Sequence, residues 1–217
     1  MAATDLAESY RAGLSPHLYH VTRVAGPFHV VRVANRCMDT VRRRVQNEQL
    51  GHRGRKRDPL FKIRKVLLVG SERVTHGGAD RMLLDLRAGD PNDERLGAWL
   101  AKESVRDVYL TDDPTEAAVL LDKTIADCQA DTVAEIRSLG DTLKRWRTEI
   151  LTHHSTGASN GPTEGLNLLV KEVKRCGRGF ENFEHFRLRV LLRAGKPAWP
   201  TRPTPPILRT CRPHAHA

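Results

Sequence analysis

Residues 155–193 read STGASNGPTEGLNLLVKEVKRCGRGFENFEHFRLRVLLR, and the spacing within them predicts a helical hairpin. Gly161-Pro162 sets a proline at the first helical position, where its missing N–H has no intrahelical partner to lose. Glu164 follows in the first turn, facing the positive end of the helix dipole. Leu166, Leu169, Val170 and Val173 then recur at i, i+3, i+4 and i+7, a stripe expected to lie against a core, and Gly177 offers a left-handed stop. A second helix is expected over 180–193, burying Phe183, Phe186, Val190 and Leu191 and ending at Gly195. The pair carries Lys171, Lys174, Arg175, Arg178, Arg187, Arg189 and Arg193, so one carboxylate at a helix start stands beside a strongly basic surface.

The run N-G-P-T-E-G-L-N-L-L-V-K, with K-R-C-G-R-G-F and N-F-E-H-F-R-L-R-V-L after it, closely resembles the C-terminal catalytic helix of bacterial insertion-sequence transposases of the ISL-three family, whose DDE domain is RNase H-like. Several linked motifs carry the match, which makes it specific. The resemblance implies that Glu164 is the last acidic residue of a metal-binding triad. Near the N-terminus, Asp5 reads by itself as the N-cap of a helix in which Leu6, Tyr10 and Leu14 share a face. In the transposases a T-D-L-x-x-x-Y stretch of this kind follows a core strand, which implies that Asp5 is the second acid of the triad. The family usually carries aspartate where this chain has Gly26, in a D-x-F-H motif whose histidine corresponds to His29. Taken alone, His29 is a structural hydrogen-bonder rather than a ligand.

Charge supports a polyanionic partner. The 217 residues carry a net +10, and its distribution is uneven. Between 23 and 65, thirteen bases face three acids, whereas between 79 and 135 fourteen acids face six bases. The helix expected over 30–47 sets Val33, Cys37, Val41 and Val45 one turn apart, with Arg32, Arg36, Arg42, Arg43 and Arg44 on its other faces. It leads into Gly51-His52-Arg53-Gly54-Arg55-Lys56-Arg57-Asp58-Pro59, a basic loop with nothing apolar to bury. Phosphate contacts are expected from Arg42, Arg43, Arg44, Arg53, Arg55, Lys56 and Arg57, and from Lys171, Lys174, Arg175 and Arg178 of the hairpin. Four well-separated cysteines indicate neither a zinc site nor a disulfide framework, and the absence of a membrane span or signal peptide points to the cytoplasm.

One short strand is expected within 20–31, and helices over 59–69, 79–87, 93–109, 114–128 and 131–153. Trp99 and Trp146 read as core residues, and Asp112-Asp113-Pro114 as a helix cap rather than a metal pair. The proline-dense tail 196–217 is expected to be disordered. The fold expected is therefore mainly α: residues 1–50 end an RNase H-like α/β core, 51–154 form an all-α insertion, and 155–195 the glutamate hairpin. A complete five-stranded sheet is not expected.

DDE chemistry holds two Mg²⁺ ions about 4 Å apart with carboxylates, which suit hard cations. Only two acids of the triad have counterparts here, Asp5 and Glu164, so the resemblance implies the C-terminal part of a transposase, inactive alone, with Mg²⁺ held weakly. DNA is the partner expected, with a full-length transposase or a second copy as a further one. Two alternatives stay open: a non-catalytic DNA-binding or interfering fragment, and a decayed reading frame.

Overall fold

The computed structural model describes residues 2–4, 6, 12 and 20–195; Asp5, the helix expected after it and the tail 196–217 lie outside that set. The chain divides into two compact units, Met1–Gly161 and Pro162–Ala217.

The first unit is a helical bundle set on one parallel strand pair. Strand β1, Ala2–Thr4, pairs with β2, Arg23–Ala25, with Thr4 opposite Ala25. Val24 and Ala25 are wholly buried. Helix α1, Pro27–Leu50, starts with proline after Gly26 and stops at Gly51, whose φ of 68° is the left-handed conformation that glycine adopts without a Cβ penalty. It therefore absorbs His29–Val31, which the β-branched run had suggested for a strand. Its buried stripe is Val30, Ala34, Met38, Val41 and Val45, one residue round from the expected stripe at its start, so that Val33 and Cys37 sit at the edge.

Helix α2 is only Pro59–Lys62, followed by 3₁₀ turns at Val66–Leu68 and Ser71–Arg73. The helix expected over 59–69 stops after Lys62, and beyond it the wholly buried Lys102 donates from Nζ to the carbonyls of Leu67 and Val69, each at 2.9 Å. Helix α3, His76–Gly89, begins three residues before the expected start because the Thr75 side chain accepts from the Gly78 N–H. Helix α4 is Glu94–Asp107 and α5 is Pro114–Ala130, the latter capped by Asp113, which accepts from the Thr115 N–H at 2.9 Å. The expected 131–153 helix divides into α6, Ala134–Arg145, and α7, Arg147–Thr156, at the buried Trp146, whose φ and ψ of −102° and 12° leave the helical basin. Helix α1 packs chiefly on α4 and α6, α5 on α6, and α7 on β2. One apolar core runs through these elements, from Ala25 and Val30 to Leu143, Trp146 and Ile150.

The second unit is the hairpin of α8, Gly161–Cys176, and α9, Phe183–Ala194. The turn between them differs from the expected one. Arg178 takes the left-handed conformation (φ 50°), not Gly177, where a Cβ would run into the Phe180 ring. Helix α9 starts after Asn182, whose side chain accepts from the Glu184 N–H at 2.8 Å. The Phe180 and Phe186 rings pack at a tilt of 52° with centroids 5.2 Å apart, and Arg193 reaches Glu172 across the hairpin at 3.3 Å. The expected burial is corrected here: no residue of α8 or α9 is buried, and Leu166, Phe183 and Leu191 are 53%, 70% and 55% exposed. Among the described residues, two helices alone cannot enclose their apolar stripes.

Candidate nucleic-acid interface

Helix α1 and the loop that follows it are built as one unit. Arg42 is buried; its Nη1 donates to Gln46 Oε1 at 2.5 Å and to the carbonyl of Arg53 at 3.1 Å, and its Nε to Asp39 at 2.9 Å. This corrects the expectation that Arg42 lies on the basic face: its guanidinium is a peg on which the loop hangs, with no access for a phosphate. The sequence put it four residues from Gln46, on the side of the helix that the loop folds back over. Gly54 closes against that peg. Its φ of 108° excludes side chains, and a Cβ there would fall 2.6 Å from the buried Gln46 amide. At the far end, Asp58 accepts from the Arg55 N–H and lies 3.6 Å from His52. The backbone is thus fixed on both sides while Arg53, Arg55, Lys56 and Arg57 point outward, all exposed.

Arg44 is also drawn away from the free surface. It clamps three helices, donating to Glu135 of α6 at 2.7 Å and reaching Glu94 of α4 at 2.8 Å and Glu48 of its own helix at 3.3 Å. Both cross-helix acids stand in first turns, where a negative charge is favoured. The Arg44 hydrogen bond holds the Glu135 carboxyl below the usual carboxylate range. Arg43 stays exposed, with Asp39 2.6 Å away.

His29 is buried at the first turn of α1 and lies 3.1 Å from the Asn160 amide nitrogen through its Nε2. The bond ties the start of α1 to the residue before α8, and Gly26 abuts the same place: a Cβ on it would stand 3.5 Å from the Asn160 backbone nitrogen. The aspartate that the family usually carries would thus meet no steric barrier at its Cβ. Asn160, Gln46 and Gly54 could not be singled out from the sequence because their partners are set by the fold. Only Gly54, punctuating a basic run, left a visible sign.

In the second unit, Glu164 is half-buried in the first turn of α8, and Lys171, Lys174, Arg175 and Arg178 are exposed. Asp5 is outside the described residues, although β1 ends at Thr4, immediately before it. Among the described residues no group of three or more His, Cys, Asp or Glu side chains could hold a metal ion. They do not by themselves fit a two-metal centre. No helix among them is long and apolar enough to cross a membrane. Cys37, Cys128 and Cys176 are free thiols, and burial pushes Cys37 up to about 12 and Cys128 to about 11, which leaves both unreactive.

The chain is thus mainly helical and basic, with a loop of outward cations and a glutamate opening a basic helix. A family model described as a transposase, that of the ISL-three type of DDE enzymes, matches residues 1–190. The chain therefore belongs to that transposase family. No curated protein and no solved structure matches it.

Proposed function

We propose that this chain binds duplex DNA through the loop of Arg53, Arg55, Lys56 and Arg57, with the hairpin bases Lys171, Lys174, Arg175 and Arg178 as a second basic surface, and that its 217 residues do not cut DNA by themselves. The observation that carries the DNA reading is the pegged loop: Arg42, Gln46 and Gly54 hold the backbone so that four cations project together without an internal partner of equal charge. Ordering such a loop costs chain entropy, which a solvated tail would avoid. Two acids of a three-acid family site, Asp5 and Glu164, support the non-cutting part, because each missing ligand weakens the hold on a hard cation. Charge reversal of Arg55, Lys56 and Arg57 should flatten the dependence of log affinity on log salt by roughly 0.9 for each phosphate no longer neutralised. An affinity for duplex DNA that does not fall with salt, or a slope unchanged by the reversal, sinks the proposal.

The interfering reading, in which the chain pairs with a full-length transposase or a second copy, is favoured by the apolar face of α8 and α9. Leu166, Leu168, Phe183, Leu188 and Leu191 are each more than half exposed. Sedimentation of the purified chain with and without Leu191→Glu tests it: a single monomeric species for both sequences, alone and mixed with a full-length family member, removes this reading.

A further inference from the structure

Beside the loop, on the outer face of α1, lies an open pocket of about 520 Å³ walled by Arg32, Arg36, Arg43, Arg64, Lys65 and Arg95. The only carboxylate on its wall is Asp39, which is already engaged by Arg42 at 2.7 Å and Arg43 at 2.6 Å. Arg36 and Lys65 are exposed and have no carboxylate partner among the described residues. Arg64 lies stacked over the Phe61 ring at 3.7 Å with Nη1 on the Phe61 carbonyl, which fixes its guanidinium without neutralising it.

Arg95 is the decisive residue. It is 1% exposed, stands on the pocket wall, and its Nε and Nη1 are buried with no hydrogen-bond partner among the described residues. Buried charged donors are almost always paired, because a desolvated cation without hydrogen bonds costs several kcal/mol, on the order of 3–5 when a buried partner is removed. Burial and then Arg42 disfavour its charge, and Asp39 and Asp90 offset that only in part. A buried cation facing a pocket of further cations is stable when an anion completes it. The planar guanidinium forks of Arg95, Arg64 and Arg36 suit the oxygens of a phosphoryl group better than a halide.

The structure assigns this pocket as a phosphoryl-binding site that seats one backbone phosphate of a DNA strand. The choice of DNA rests on the DNA-binding reading above, since α1 runs directly from Arg36 and Arg43 into the basic loop. The pocket anchors one phosphate while the loop follows the strand beyond it.

Two measurements on the full chain test it, thermal unfolding with inorganic phosphate against chloride at equal ionic strength and the salt slope for a duplex. Phosphate at ten times its dissociation constant should raise the midpoint of the wild type by roughly 3 °C. Arg36→Ser with Lys65→Ser, both exposed positions, should abolish most of that rise and lower the salt slope by about one. Arg95→Met should abolish it as well; where that variant does not fold, the surface pair decides. No phosphate-specific rise in the wild type overturns the pocket. A rise that the surface pair removes while the DNA slope stays unchanged overturns DNA as its ligand and leaves the loop reading standing. A wild type without affinity for duplex DNA overturns that earlier reading, and DNA as the ligand with it, while the phosphate arm still judges the pocket.

Discussion

Lys102 shows how a single charged side chain can dictate local structure. It sits in α4 with none of its surface exposed, and its ammonium satisfies the carbonyls of Leu67 and Val69 as well as pairing with Glu103. Burial pulls its pKa down, against the hydrogen bond that its ammonium donates to Glu103, so the fold holds a cation at a cost that those partners offset. Lys102→Met keeps the volume but orphans two carbonyls, each worth about 1–3 kcal/mol. Equilibrium denaturation should therefore show a loss of about 3 kcal/mol, and a loss under about 1 kcal/mol would show that the 3₁₀ segment re-pairs its carbonyls elsewhere. Arg44 makes a different kind of contribution. Because Glu135 titrates lower in the folded chain than in the unfolded one, it stabilises the fold above about pH 4.5 and that stabilisation drains away as the pH falls below it. Arg44→Met should cost about 1 kcal/mol at neutral pH, since the pair is partly solvated, and should make the acid limb of stability against pH shallower. Parallel acid limbs for the two sequences would show that Glu135 is not held by Arg44.

At the scale of elements, periodicity told what is a helix better than what a helix touches. Helix α5 starts where apolar spacing and Pro114 put it, α1 and α9 appear with ends within three residues of the expected ones, and Asp113 caps as the Asp-Asp-Pro run indicates. The fates of Arg42 and Arg44 were not legible, since Arg44 finds Glu135 across 91 positions and Arg42 is covered by a loop that its own periodicity cannot describe. The stripe of α8 was legible as a stripe, but sequence spacing reports amphipathicity and not the surface that covers it. The charge of the basic loop was plain in the sequence, whereas its rigidity was not, because that depends on Gly54 meeting Gln46 in the fold. Gly54→Ala should therefore strain the backbone by about 2 kcal/mol at φ 108° and push on Gln46 while leaving the helices intact. Faster proteolysis within 51–58 and a several-fold weaker hold on duplex DNA are expected, with the helical signal unchanged. Full DNA affinity in that variant would mean the loop binds without its fixed shape.

For the whole molecule, basic and acidic residues are sorted into separate segments of the chain. Bases crowd α1, the loop and the hairpin, whereas the acids gather in residues 79–135, in helices of which α4 and α6 pack against α1. Glu164 is one of the few carboxylates of the hairpin and opens the basic helix α8. Removing one negative charge from a chain of net +10 can only raise its attraction to phosphates, and by little, because a salt-screened field is set by many charges. Glu164→Gln should thus leave duplex affinity within about twofold at about 0.15 M salt, where screening acts over about 8 Å. The wild-type chain incubated with Mg²⁺ and supercoiled plasmid should leave the plasmid uncut, since two carboxylates hold a hard cation too weakly to organise attack on a phosphodiester. Mg²⁺-dependent nicking that Glu164→Gln abolishes would show that these 217 residues hold an active centre and would overturn the non-cutting part of the proposal. A large loss of DNA affinity in Glu164→Gln without nicking would instead make Glu164 a structural support of the basic hairpin.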